Sequence, residues 1–195
     1  MKKPITVDRT QPNSYITALT KYLHSGSLLD LGAGHGRHAI YFAQEGFVVT
    51  AAEPLPEHCD EIIKKAKIAE LDIQVVQSDI GTFFAETQFD AVVCAMVLHF
   101  LDHSEVKHAI AKMQALTAAH GYNVISAYTD KNTGDFMKGN PYGSEKYLLR
   151  PGELKEQYAG WEIVEYSEAW TPPGIINPDD IPTSYHKVNM IARKP

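Results

Sequence analysis

Three glycines at alternate positions follow a carboxylate in the segment LLDLGAGHGRHAI. Asp30 stands two residues before Gly32, and single residues separate Gly32, Gly34 and Gly36. Glycine lets a backbone turn tightly and leaves no Cβ atom in the path of an approaching ligand. The apolar run before the glycines predicts a strand, and the pattern after them predicts a helix. We therefore expect a small molecule to bind against a bare strand-to-helix loop.

The spacing of the glycines argues against a nicotinamide dinucleotide. The dinucleotide fingerprint is G-x-G-x-x-G, and here Arg37 stands at the third glycine position. A carboxylate beside the loop suits a ligand with a positive amino group better than one with a second phosphate. S-adenosylmethionine carries an ammonium, a carboxylate and a sulfonium but no phosphate, so it is the predicted cofactor. A nicotinamide oxidoreductase is the competing hypothesis for the loop.

Two further carboxylates follow the next two predicted strands. Glu53 ends the run FVVTAAE and is expected to accept hydrogen bonds from ribose hydroxyls, and Asp79 ends IQVVQSD, where an adenine amino group would meet it. Ligands of open α/β sheets bind outside the carboxyl ends of the strands, so these acids should converge on one crevice. The predicted cofactor-binding residues of this crevice are Asp30, Gly32, Ala33, Gly34, Gly36, Glu53, Pro54, Asp79, Ile80 and Ala95.

Short apolar runs alternate with helical patterns, which is typical of an α/β protein with a mainly parallel sheet. Strands are predicted over residues 27–31, 47–53, 73–79, 89–96, 122–129, 161–170 and 186–194. The first four runs are continuously apolar, which predicts that both of their faces are covered. The longest helical pattern is expected to begin at a capping box formed by Asp102 and Glu105 and to end at Gly121.

Composition favours one globular domain that works in a reducing compartment. The chain has 195 residues, is 44% hydrophobic and 22% charged, and carries a formal net charge of −6. No basic run favours nucleic acid or an anionic membrane, and no long apolar run or signal peptide is recognised. Cys59 and Cys94 lack metal-type spacing, so we expect a cytoplasmic protein without disulfide or metal. Monomer and homodimer both stay open.

Four segments resemble the motifs of class I S-adenosylmethionine-dependent methyltransferases. They are LLDLGAGHG, the Glu53 after VVTAA, SDI and FDAVVCAMVLHFL. The resemblance implies a doubly wound, Rossmann-like α/β sheet of seven strands, mainly parallel with the last strand antiparallel. It also implies a single domain over residues 1–195, in which the lead segment 1–25 folds over the cofactor and brings Arg9 and Tyr15 to it.

The chain is similar in more detail to the tellurite-resistance, TehB-type methyltransferases. The similarity lies in LDLGAGHGRHAIYFAQEGFVV, VLHFL, GYNVISA and GELKEQYAGWEIVEY. It implies methyl transfer to a small acceptor, since members of that group methylate tellurite, selenium compounds and some thiols. Members of the group hold the oxyanion with a histidine and arginines between the last two strands. Here residues 171–185 contain no cation and include Asp179 and Asp180, so we expect a neutral or cationic acceptor.

Three side chains are the predicted catalytic residues on the acceptor side of the cofactor. They are His99 after the fourth strand, Tyr128 in the fifth and His186 at the start of the seventh. A sulfonium methyl group is already electrophilic, so in-line placement and exclusion of water are the main requirements. The segments 130–147 and 171–185 are expected to close the pocket. The alternative function is a non-catalytic cofactor-binding module that has lost its acceptor site.

Overall fold

The computed structural model describes residues 5–6, 11–132, 145–172, 174–175 and 184–195. Its centre is a seven-stranded sheet with the spatial order β3-β2-β1-β4-β5-β7-β6. The strands, numbered along the chain, are β1 Ser27–Leu31, β2 Val48–Glu53, β3 Ile73–Gln77, β4 Phe89–Ala95, β5 Thr117–Tyr128, β6 Glu162–Trp170 and β7 His186–Arg193. A separate parallel pairing joins Ile5–Thr6 to Gly174–Ile175.

Five α-helices and two short 3₁₀ helices connect and cover the strands in the described part of the chain. The α-helices are α1 Ser14–Thr17, α2 Arg37–Gln44, α3 Pro56–Ile68, α4 His103–Leu116 and α5 Glu153–Gln157. The 3₁₀ helices are Ala18–Lys21 and Leu98–Phe100. None of these helices is both long and apolar enough to cross a membrane.

The strand directions confirm the predicted doubly wound sheet. β1 pairs in parallel with β2 and β4, while β3 and β5 extend the parallel sheet on either side. β7 lies between β5 and β6 and is antiparallel to both. All the parallel strands therefore end at one edge of the sheet, which is where a ligand of such a fold is expected.

Each face of the sheet carries its own apolar core. Leu29 and Leu31 of β1 pack on the side covered by α4, with Ile110 and Met113. Leu28 packs on the opposite side, which α1, α2 and α3 cover. This alternation follows from the two-residue period of a strand. It fixes β1 rigidly between two layers, and the glycine loop begins at its end.

One strand differs from the prediction of coverage on both faces. β1, β2 and β4 are mostly buried, but all five residues of β3 are half-buried or exposed. β3 lies at the edge of the sheet, where covering layers are incomplete and one row of backbone groups lacks a neighbouring strand. The prediction was wrong for β3 because an apolar run does not tell an edge strand from a central one.

The helix that begins at Asp102 ends earlier than predicted. Asp102 and Glu105 form the expected capping box, but α4 stops at Leu116, and Thr117 is already extended and paired with Phe89. Gly121 lies inside β5, where a Cβ atom would stand 2.8 Å from the carbonyl oxygen of Asp90. The pairing of β4 with β5 shifts register between Phe89 and Ala91. The two strands approach so closely there that Gly121 has no room for a side chain.

Candidate functional site

The loop after β1 has a conformation that demands glycine. Gly32, Gly34 and Gly36 have φ angles of 73°, 55° and 77°, in the left-handed region. A Cβ atom on Gly32 would lie 2.4 Å from Val97 Cγ2, and one on Gly36 would lie 2.6 Å from Ile62 Cγ1. Both values are below any real contact, so the loop packs against its neighbours as bare backbone. Gly36 is also the N-cap of α2, which places the helix N-terminus beside the loop.

Glu53 is buried at the end of β2 and is held by the loop. Its Oε2 accepts a hydrogen bond of 2.8 Å from the backbone N–H of Gly34. Its Oε1 accepts from the N–H of Leu55 at 3.2 Å and faces His58 Nδ1 at 3.3 Å. The carboxylate therefore stands at the base of the glycine loop with a fixed orientation. This is the position in which the sequence predicts a partner for ribose hydroxyls.

Asp30 is fully buried near the end of β1 and lacks one partner. Its Oδ2 has no hydrogen bond within the described residues. Burial raises the pKa of Asp30 from 3.8 to about 7, although the Arg37 guanidinium and the backbone of Ala39 act in the opposite direction. Desolvation penalises the charged form of such an acid, and a nearby cation stabilises that form. The site therefore favours a ligand that brings a positive group to Asp30.

The other cofactor residues predicted from the sequence lie at the same edge of the sheet. Asp79, just beyond β3, accepts a hydrogen bond of 2.7 Å from the N–H of Thr82, which lowers the pKa of the carboxyl. Ile80 after it is buried, Pro54 beyond β2 is exposed, and Ala95 is the half-buried last residue of β4. The structure thus brings together predicted residues from the ends of four strands.

The lead segment meets the sheet from the side of α2. The N–H of Asn13 donates to His38 Nε2 at 3.2 Å, which attaches α1 to the first turn of α2. Tyr15 is half exposed and borders a groove of about 280 Å³, whose other walls are Glu165, Tyr166, Ser167, Asn189, Met190 and Ile191. Arg9, Asp179 and Asp180 lie outside the described residues, as do most of the segments 130–147 and 171–185.

His99 and Tyr128 come together on the acceptor side. His99 lies in the 3₁₀ helix after β4, is 2% exposed, and its ring centroid is 4.8 Å from that of Tyr128. Its Nδ1 has no hydrogen-bond partner in the part of the chain that the structure describes. Burial, with a smaller effect of Lys187, lowers the pKa of His99 to about 4. The imidazole therefore favours its neutral form, in which the unprotonated ring nitrogen can accept a hydrogen bond.

His186 has a different environment from His99 and Tyr128. Its Nδ1 is 2.7 Å from Thr129 Oγ1, and its ring packs edge-on against Trp170. Tyr128 pairs with Lys187 in the sheet, and neighbouring residues of a strand point to opposite faces. The structure consequently places His186 on the opposite face of the sheet from Tyr128, while the Tyr185 ring lies 5.4 Å from the Tyr128 ring.

Two residues at this site carried no sequence signal of their own. Met96 directly follows β4 with a φ of 63°, and its N–H donates to the carbonyl of Ser126 at 2.7 Å. Positive φ in a large residue is strained and often marks a functional position. Lys187 holds its ammonium 5.3 Å from the centroid of the Tyr128 ring. Lys187 follows residues 171–185 in the sequence, but the face of the sheet on which it lies depends on the strand register.

The fold and the site together define a Rossmann-like methyltransferase architecture. The crystal structure of TehB from Haemophilus influenzae matches it with a TM-score of 0.82 and 25% identity, over 94% of this chain and 63% of that one. The family model described as "Tellurite resistance protein TehB" matches residues 5–172. The chain therefore belongs to the TehB family, as the sequence motifs predicted.

Two curated relatives show how much of a longer protein the chain covers. "Hemagglutinin 1" of Eikenella corrodens is 30% identical over 170 residues, which are 86% of this chain and 54% of that protein. The "Probable S-adenosyl-L-methionine-dependent methyltransferase TehB" of Haemophilus influenzae strain 10810 is 32% identical over 149 residues, or 76% of this chain and 50% of that protein. The chain spans about half the length of these curated relatives.

The buried Asp30 predicts a specific pH dependence of stability. Because the folded state raises its pKa, the folded protein keeps this proton at pH values where the unfolded chain has lost it. The unfolding free energy of the wild type relative to Asp30→Asn should therefore fall as the pH rises from about 4 to about 7 and then level off. Urea unfolding of both proteins across this range measures it. The exposed Asp60 supplies the control Asp60→Asn, and a flat difference for Asp30→Asn would contradict the assignment.

Proposed function

We propose that this protein is an S-adenosylmethionine-dependent methyltransferase that acts on a small-molecule acceptor. The observation that carries the proposal is the buried carboxylate of Glu53, bound to the N–H of Gly34 at the base of the glycine-rich loop. Asp30 and Asp79 lie at the ends of the two strands beside β2. Membership of the TehB family supports the same conclusion.

The residues of the site fit the groups of this cofactor. The half-satisfied carboxylate of Asp30 suits the ammonium, Glu53 suits the ribose hydroxyls, and Asp79 with Ile80 suits the adenine. The backbone of residues 32–36 would pass beside the amino-acid part, with Ala33, Pro54 and Ala95 as lining. We assign Arg9 and Tyr15 of the lead segment to the same site.

The chain's own residues would place the acceptor rather than activate the methyl donor. S-adenosylmethionine supplies an electrophilic methyl group on its sulfonium. His99 is buried and favours its neutral form, so it suits the role of accepting a hydrogen bond from the acceptor. The Tyr128 ring beside it forms an apolar wall that excludes water. His186, held by Thr129, is the third residue we propose for turnover.

The charge of the acceptor divides the proposal into two candidates. The first is a neutral or cationic metabolite with a thiol, amine or hydroxyl, because residues 171–185 contain two aspartates and no cation. The second is an oxyanion such as tellurite, as in the family name, and the ammonium of Lys187 beside Tyr128 favours it.

Three properties of the whole protein belong to the same proposal. We place it in the cytoplasm because Cys59 and Cys94 are both buried free thiols. We expect no nucleic-acid or membrane partner, given the net charge of −6 and the lack of a basic run. The non-catalytic alternative predicts that S-adenosylmethionine binds without turnover. The nicotinamide alternative predicts that calorimetry detects binding of NAD.

Cofactor affinity tests the first half of the proposal. S-adenosylmethionine and S-adenosylhomocysteine should bind with micromolar affinity, about −8 kcal/mol, and NAD should give no heat. Glu53→Gln should weaken binding by about 1–3 kcal/mol, because a charge-assisted acceptor for the ribose is lost. Isothermal calorimetry measures both, and Glu57→Gln, at an exposed position in the first turn of α3, is the matched control. Absence of heat with either adenosyl compound would refute cofactor binding.

Variants of the two histidines test the acceptor half. His99→Ala should lower turnover by about 10–100-fold, because a buried hydrogen-bond acceptor that places the substrate is lost, and His186→Ala is also expected to lower turnover. Both should keep S-adenosylhomocysteine affinity within about 0.5 kcal/mol, since neither is assigned to the cofactor. Single-turnover methyl transfer and calorimetry give the two quantities, with the exposed His108→Ala as control. If both variants kept the wild-type rate, the acceptor site would be built from other residues.

A panel of acceptors separates the two candidates. The neutral thiol 2-mercaptoethanol and the cationic cysteamine should be methylated faster than tellurite or selenite, because residues 171–185 contain two aspartates and no cation. Formation of S-adenosylhomocysteine at equal acceptor concentrations measures the order. Turnover with tellurite or selenite that matched the best organic acceptor would replace the first candidate with the second.

A further inference from the structure

The Glu53 carboxylate receives three donors, and two of them come from the backbone. The N–H groups of Gly34 and Leu55 would be present whatever the side chains were. The third donor is a side chain, His58, whose Nδ1 lies 3.3 Å from Oε1 in the first turn of α3. The two side chains are only 11% and 5% exposed, so the pair is shielded from water. Because a carboxylate only accepts, Nδ1 must carry the proton.

His58 is itself fixed by the glycine loop. Its ring centroid is 4.2 Å from that of His35, the residue between Gly34 and Gly36. His35 Nδ1 lies 2.6 Å from a carboxylate oxygen of Glu61, and Lys65 donates to the carbonyl of His35 at 2.8 Å. Residues of α3 thus fix both rings, because His58 belongs to α3 and Glu61 and Lys65 of the same helix hold His35. His58 lies between the glycine loop and the carboxylate at the end of β2.

Counting acceptor positions shows what this contact does to Glu53. Each carboxylate oxygen offers about two lone-pair positions. On Oε1 both are used, by Leu55 and His58, whereas within the described residues Oε2 accepts only from Gly34. The remaining acceptor capacity is therefore on Oε2, the oxygen beside the glycine loop. Without His58, the carboxylate would keep two backbone donors but lose the side chain that opposes its rotation.

We infer that His58 is a positioning residue for the cofactor: its Nδ1–H fixes the Glu53 carboxylate so that the remaining acceptor position of Oε2 receives a ribose hydroxyl. The inference rests on the proposed function, in which Glu53 binds the ribose. His58 makes no contact with the ligand in this account and acts only through the acid. Its effect on affinity should therefore depend on a donor at the Nδ1 position and on the presence of ribose hydroxyls.

Three substitutions at position 58 distinguish positioning from packing. His58→Asn keeps an N–H donor where Nδ1 lies, His58→Gln moves the donor to the Nε2 position, and His58→Leu removes it while filling similar space. Calorimetry with S-adenosylhomocysteine should show about a tenfold weaker affinity for the Leu and Gln variants and an affinity within about threefold of wild type for the Asn variant. The 2′,3′-dideoxy analogue of the ligand should bind all four proteins alike.

The possible results separate this inference from the proposal on which it rests. If the Asn, Gln and Leu variants all bound like wild type, or if His58→Leu weakened both ligands equally, the positioning role would be wrong and cofactor binding would stand. Wild-type protein that bound no S-adenosylhomocysteine would overturn the proposed function and this inference with it. Thermal melting checks folding, and the Asn and Gln pair carries the comparison if the Leu variant does not fold.

Discussion

The hydrogen bond from the Gly34 N–H to the Glu53 carboxylate is the contact on which the candidate site depends. It joins the loop after β1 to the end of β2, and two further bonds, from Gly32 N and Ala33 N to the carbonyl of Ala52, run alongside it. The loop can approach β2 this closely only because it lacks side chains where Val97 and Ile62 press against it. The glycine spacing allows the loop conformation, and the loop conformation in turn fixes the position of the buried Glu53 carboxylate.

Asp30 and Asp79 have pKa values shifted in opposite directions because their surroundings differ. Asp30 has lost water without gaining a partner for Oδ2, so its pKa rises. Asp79 is exposed and receives the N–H of Thr82, so its pKa falls. Glu53 is as buried as Asp30 but accepts bonds on both oxygens. The acids at neighbouring strand ends therefore differ. Asp30 has an oxygen without a partner within the described residues, whereas Glu53 and Asp79 already accept hydrogen bonds from the protein.

The cofactor half was predictable because its signals are short in sequence. A strand, a loop of glycines and an acid at the next strand end all lie within residues 27–53, and parallel topology brings them to one edge. The errors lie where tertiary context decides. The edge position of β3 and the close approach at Gly121 both depend on which strands become neighbours. The local apolar pattern of the sequence predicts neither of these two features.

The acceptor half could be predicted only in part because strand register assembles it. His99, Tyr128 and His186 come from three strand ends far apart in the chain, and all three do lie at the carboxyl edge of the sheet. The pairing of Tyr128 with Lys187 then decides that Lys187 shares a face with Tyr128 and that His186 does not. A shift of one residue would reverse the two. The charge on this face of the sheet is consequently set by register rather than composition, and counting cations in residues 171–185 could not reveal the ammonium of Lys187 beside Tyr128.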